Sequence, residues 1–182
     1  MINKFQDKAP VEKLCILDID GVLTNTEDRS SFLCGDPRTY RISEKNLSNL
    51  MDLLEKEPKL KIVISSNWRR FEGDDPAWTC IGKTYHGCLP KLRKILKKWI
   101  IGDLTHERHL NKAEALELWF EDNEWMSKTR SKYVILEDDV LIEGFLTHPI
   151  FYKHTIKTSK ETGLTQEDVK RALAVLEDQE GK

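Results

Sequence analysis

Asp18 and Asp20 close an apolar run, Leu14-Cys15-Ile16-Leu17-Asp18-Ile19-Asp20-Gly21-Val22-Leu23-Thr24. Side chains alternate along a strand, so acids at i and i+2 leave a buried strand on the same side. Crowded carboxylates repel and cost stability unless a cation or a shared proton relieves them. Gly21 permits a tight turn directly behind them. Such a pair suits one acid as nucleophile or metal ligand and the other as acid/base. Taken alone, Asp-x-Asp-Gly also fits an ordinary polar turn.

Two more apolar runs end in residues that can do chemistry. Leu60-Lys61-Ile62-Val63-Ile64 runs into Ser65-Ser66-Asn67, and Tyr133-Val134-Ile135-Leu136 runs into Glu137-Asp138-Asp139. These three groups need a frame that brings distant segments together. Lys13–Asp18, Leu60–Ile64 and Tyr133–Leu136 read as strands. Trp99–Ile101 and His154–Thr158 read as short additional strands.

Leu47, Leu50, Met51 and Leu54 recur at helical spacing, which predicts a helix over 44–56 with Pro58 just beyond it. Leu92, Ile95, Leu96 and Trp99 predict a second helix, with Lys91, Lys94 and Lys98 on its other side. Asn111 with Glu114 starts a third, carrying Ala113, Leu116 and Phe120. Thr165 caps a fourth, carrying Val169, Ala172, Leu173 and Leu176. Residues 28–39 read as a loop, and both termini as loosely ordered. Strands alternating with helices imply an α/β fold with three layers, a doubly wound, mainly parallel sheet covered on both faces. Sites in such sheets form at the carboxyl ends of the strands.

The chain of 182 residues suits a single domain, with its core over about 13–176. Its apolar fraction of 39% supplies a core and its charged fraction of 33% a solvated surface. With a net charge of -2 the whole molecule is not an obvious polyanion binder, but the charge is uneven. From Pro76 to Gly102 there is no acid, while Lys83, Lys91, Arg93, Lys94, Lys97 and Lys98 fall in that stretch. That stretch is a candidate nucleic-acid contact, competing with a plain solvated face. The cysteines, Cys15, Cys34, Cys80 and Cys88, form no C-x-x-C, and His106 and His109 complete no ligand set. Neither a disulfide framework nor a zinc site is expected, and Cys15 reads as a buried hydrophobe. With no membrane span or signal-peptide core, a cytoplasmic location is expected.

With these segments in hand, the chain resembles the haloacid dehalogenase (HAD) superfamily of phosphotransferases. The resemblance rests on four signatures in the family's order. They are Ile16-Leu17-Asp18-Ile19-Asp20-Gly21-Val22-Leu23-Thr24, Ile62-Val63-Ile64-Ser65-Ser66, Lys112 opening a helix in Asn111-Lys112-Ala113-Glu114, and Val134-Ile135-Leu136-Glu137-Asp138-Asp139. Ser65-Ser66-Asn67-Trp68-Arg69 and the late Thr162-Gly163-Leu164-Thr165 are similar to the small HAD domains of multi-enzyme RNA repair proteins.

The resemblance implies an Asp18 nucleophile forming an aspartyl phosphate and an Asp20 acid/base. It implies Mg²⁺ held by Asp18, the Asp20 backbone and Asp138, with Glu137 and Asp139 in reserve, because Glu137 stands where the family often has Asp. It implies Ser65 binding a phosphoryl oxygen and Lys112 neutralising charge. Ser66 replaces Ser65 if the strand runs one residue longer, and Lys112 has a plain reading as a solvated helix start. Thr24 is a turn candidate and Trp68 a core candidate. Ser66, Asn67 and Arg69 are candidate substrate-binding residues, and Arg69 or Arg70 could fork onto a phosphate.

The gaps Asn25–Lys59 and Asn67–Asn111 are short for an independent cap domain, so an open site is expected. The expected activity is a Mg²⁺-dependent phosphomonoester hydrolase acting on nucleic-acid terminal phosphates or nucleotides. A catalytically idle HAD-like module binding phosphorylated ends is the alternative. A receiver-like domain also has an acidic pocket and a Lys, but Asp-x-Asp-Gly argues against it.

Overall fold

Side-chain alternation along the first strand, β1 (Lys13–Leu17), sets the layering. Cys15 and Leu17 enter one core, Leu14 and Ile16 the other, and all four are fully buried. The computed structural model describes residues 11–27, 42–66, 88–104, 110–123 and 132–178. The second strand, β2 (Leu60–Ile64), divides likewise, with Ile62 and Ile64 on one side and Val63 on the other. So does β4 (Tyr133–Glu137), with Val134 and Leu136 opposed to Tyr133 and Ile135. Strands buried on both faces read as continuous apolar runs, as these do.

With β3 (Ile100–Asp103) and β5 (Thr155–Lys157), they form one sheet of five strands in the order β3-β2-β1-β4-β5. Every pairing is parallel. Helix α1 (Glu44–Lys56) presents Leu50, Leu53 and Leu54 to the first core, and Ser43 caps it by accepting from the Asn46 N–H. Helix α2 (Cys88–Ile95) adds Leu89 and Leu92. Helix α4 (Gln166–Asp178) adds Val169, Ala172 and Leu176. The second core lies under α3 (Lys112–Asp122), which contributes Ala113, Ala115, Leu116, Trp119 and Phe120. Phe145 and Phe151 from the β4–β5 connection complete it. The expected three layers and doubly wound parallel sheet are the observed ones.

Three local expectations shift. Helix α2 stops at Ile95, where a turn with Trp99 N–H donating to the Leu96 carbonyl (2.9 Å) delivers the chain to β3. Trp99 therefore packs in the first core from a turn, and β3 begins at Ile100. The last strand is shorter than expected because a 3₁₀ turn occupies Phe151–His154. One cation of the basic stretch also finds a partner just past its end: both Asp103 oxygens accept from the Arg93 guanidinium at 3.0 Å. Lys98 lies 3.9 Å over the Trp99 ring, before the start of β3 and hence at the amino end of the sheet. Among the described residues no helix is long and apolar enough to cross a membrane.

Candidate active site

The chain runs outward from β1 through β2 to β3, then returns across the sheet to β4 and β5. The reversal opens a crevice at the carboxyl ends of β1 and β4, the place where such sheets hold ligands. Register determines which residues meet there. Leu17 pairs with Ile64 and with Leu136, so the residues just past those pairs, Asp18, Ser65 and Glu137, come side by side. Two backbone bonds extend the ladder beyond the strands. Ser65 N–H donates to the Leu17 carbonyl (2.8 Å) and Asp18 N–H to the Leu136 carbonyl (3.1 Å).

Carboxylate oxygens of Asp18, Glu137 and Asp138 lie within 4.8 Å of one another. The carboxylates of Asp20 and Asp139 are outside this group. Lys112 is buried beneath it, with its ammonium 2.7 Å from Glu137, 3.0 Å from Asp18 and 3.7 Å from Glu143. It holds this place as the first residue of α3, against the preference of a helix start for negative charge. A capping box of Asn111 and Glu114 fixes that helix start.

Glu143 completes the support. Its carboxylate accepts from the Lys112 N–H (3.2 Å), and its carbonyl from the Ala113 N–H (3.0 Å). Burial works against the Lys112 charge, but Asp18, Glu137 and Glu143 outweigh it and raise its pKa. Burial and the Asp18 charge push Glu137 and Asp138 above the usual carboxylate range, with Lys112 opposing at Glu137.

Gly21 is required twice over. Its φ is +61°, and a Cβ there would meet the Asp138 carboxylate at 2.4 Å. The Thr24 hydroxyl accepts from the Gly21 N–H (3.0 Å), so Thr24 is a turn residue. From β5's end, the Thr158 hydroxyl donates to the Gly21 carbonyl (2.7 Å). The following loop is locked to the amino-terminal half. Asn46 donates to the Thr162 and Leu164 carbonyls, both at 2.8 Å, and Asn49 to Leu164 at 2.7 Å. Gly163, with φ +65°, fits against Asn46, where a Cβ would come within 2.7 Å.

The expected site residues thus divide. Asp18, Ser65, Lys112, Glu137 and Asp138 converge. Asp20 lies in the following turn, and Asp139 faces Lys160 at 3.5 Å. Ser65 and Ser66 are both fully buried. Asn67, Arg69, Trp68 and Arg70 lie outside the described residues, as do Cys34, Cys80, Lys83, His106 and His109. Sequence reasoning missed Glu143, Thr158 and Lys160. Their only signals were an acid soon after the third acidic group and polar residues trailing the last strand.

The cluster fits a divalent cation bound to phosphate. Three carboxylates supply hard oxygen donors, which suit Mg²⁺. The buried Ser65 hydroxyl has no hydrogen-bond partner among the described residues. Buried polar groups are normally satisfied, so an orphaned hydroxyl beside a carboxylate cluster suits an incoming oxygen ligand.

Comparison with known proteins agrees with this geometry. No curated protein and no solved structure matches the chain. One family's sequence model matches over residues 14–169, from the first residues of β1 into α4 and across every residue of the cluster. The chain belongs to the family described as the HAD domain in Swiss Army Knife RNA repair proteins.

Proposed function

We propose that this domain is a Mg²⁺-dependent phosphomonoester hydrolase working through an aspartyl phosphate, on nucleic-acid terminal phosphates or nucleotides. Membership of the HAD superfamily supports phosphatase-type chemistry. One observation carries the finer reading: Asp18 shares a 4.8 Å cluster with Glu137 and Asp138 while Lys112 reaches it at 3.0 Å. An isolated acidic turn would have neither the converging acids nor the buried counter-cation.

An Asp18 oxygen attacks phosphorus as the bond from phosphorus to the ester oxygen breaks. Asp20, protonated, gives its proton to that leaving oxygen. Asp20 then takes a proton from water as the water attacks the phosphoryl group. The bond from phosphorus to Asp18 breaks, releasing inorganic phosphate and restoring the carboxylate. Lys112 and the Ser65 hydroxyl stabilise the phosphoryl oxygens. Asp18, Asp138 and the Asp20 backbone hold the cation. Glu137 anchors Lys112 and stands behind Asp138 as a ligand in reserve, as does Asp139. When bound, Mg²⁺ supplies charge neutralisation on the carboxylates and the phosphate. Asn67 and Arg69 are proposed to contact the substrate beyond the phosphate. The short segments between the signatures favour an open site that admits a polymer end.

The test is phosphate release across nucleotides, 3′- and 5′-phosphorylated oligonucleotides, sugar phosphates, phosphopeptides and an aryl phosphate, with and without Mg²⁺. Turnover requiring Mg²⁺ is expected, and Asp18→Asn is expected to lower it by ~10⁴-fold or more without loss of fold. Absence of turnover on the whole panel would leave a phosphate-end binder as the better account.

A further inference from the structure

The cluster faces a second cation that the proposed chemistry does not use. Lys160 lies just beyond β5, with its ammonium 3.6 Å from Asp138 and 3.5 Å from Asp139. The two lysines differ sharply in setting. The Lys112 side chain is 6% exposed and that of Lys160 is 63% exposed. Lys112 serves Asp18 and Glu137 from beneath, while Lys160 covers Asp138 from the solvent side.

The backbone under Lys160 is fixed although its side chain is exposed. Its carbonyl accepts from the Thr26 N–H (3.0 Å), just past the loop that carries Asp20 and Gly21. Ser159 and Gly163 bridge across it, and the Gly163 N–H donates to the Ser159 carbonyl at 2.7 Å. Thr158, two residues before it, holds the Gly21 carbonyl. The fold therefore delivers a flexible ammonium on a rigid base to the rim of the crevice, one carboxylate away from Asp18.

We infer that Lys160 is an exchangeable cation. It neutralises Asp138 in the metal-free protein, yields that carboxylate to a divalent cation, and then pairs with the phosphate dianion that enters beside the metal. The inference rests on the metal-dependent reading of the cluster. Its physical basis is competition. Asp138 cannot gain the full attraction of a divalent cation while an ammonium occupies its solvent side. A freed lysine at the rim is then surrounded by a less negative cluster and an incoming anion. The exposed position keeps each pairing weak enough to reverse.

The signature is a pair of effects with opposite sign. Mg²⁺ binding is measured by calorimetry at low ionic strength, and inorganic phosphate binding at saturating Mg²⁺. Lys160→Gln is expected to bind Mg²⁺ about two- to fivefold more tightly and phosphate about two- to fivefold more weakly. Lys160→Arg, which keeps the charge, is expected to stay near wild type in both. A residue that merely supported the loop would weaken both ligands together. Mg²⁺ affinity unchanged or reduced in Lys160→Gln overturns the exchange, and so does phosphate affinity unchanged or increased. Wild-type protein that takes up no Mg²⁺ would overturn the metal reading itself and this inference with it. The wild-type titration alone thus separates the two failures.

Discussion

The two ends of the sheet handle charge in opposite ways. Strand β1 carries a buried lysine at its start and a buried aspartate just past its end. At the amino end, Lys13 meets Glu57, the residue closing α1, at 2.8 Å, and Lys59 meets Glu12 at 2.7 Å. Each of these two cations has a carboxylate at contact distance. At the carboxyl end, three carboxylates crowd within 4.8 Å around one buried lysine, with a second lysine only at the rim. Burying a charge without a partner is costly, so folding alone would favour the balanced arrangement. The sheet achieves that balance at one end and carries an excess of carboxylate at the other. Surplus negative charge concentrated where the strand order reverses is the arrangement that the proposed cation site requires.

The largest test of this contrast removes one lysine from each end. Lys112→Met is expected to lower turnover by ~10²–10³-fold. It should also destabilise the fold by about 3 kcal/mol or more by leaving buried carboxylates uncompensated. Lys13→Met should show a stability loss of about 3 kcal/mol with turnover near wild type. Thermal unfolding and kcat measured on both variants decide it, and equal losses of turnover would erase the distinction.

Ser65→Ala sharpens the contrast at smaller cost. Removing a donor to the phosphoryl group is expected to reduce kcat by roughly 10²-fold. Because the hydroxyl is buried without a partner among the described residues, the free protein should be as stable as wild type or slightly more so. A marked loss of stability would mean that the hydroxyl is a structural group.

The smallest effect concerns pH and lies at the amino end. His154 stacks on Tyr133 at 4.2 Å, and its Nδ1 donates to the Tyr133 carbonyl at 3.2 Å. Burial and neighbouring Lys153 hold its pKa below 6.5, against that hydrogen bond. The folded state thus favours the neutral ring. Its contribution to stability is complete above pH 6.5 and declines as pH falls from there toward the folded value. Denaturant titrations across this window should show the slope in wild type and a reduced slope in His154→Gln. An unaltered slope would assign the dependence to other groups.

Much of this frame was legible because local and global signals coincide. The apolar runs at Lys13–Leu17, Leu60–Ile64 and Tyr133–Glu137 end in polar residues, so strand type, strand end and site position came from the same letters. Helix α1 matches its periodicity at both bounds, and the Asn111–Glu114 capping box announced α3. What was illegible depends on chain paths through loops. Apolar spacing continues through Leu96 and Trp99 although the helix has ended, because a turn can serve the same core as a helix. The basic stretch looked uncompensated because Asp103, the partner of Arg93, falls one residue beyond it. Glu143, Thr158 and Lys160 act through tertiary placement, and nothing in their spacing marks it.

The bonds from Asn46 and Asn49 to Thr162 and Leu164 span more than a hundred residues of sequence. Contacts of such separation form late, since a long loop must close before they contribute. A nascent chain that has emerged only as far as Asp139 already carries every carboxylate of the cluster and the Thr24 bond to the Gly21 N–H, but lacks the Thr158 hydroxyl that holds the Gly21 carbonyl. Completion of the proposed site in this fold therefore waits for the loop beyond β5 to fold back on the amino-terminal third.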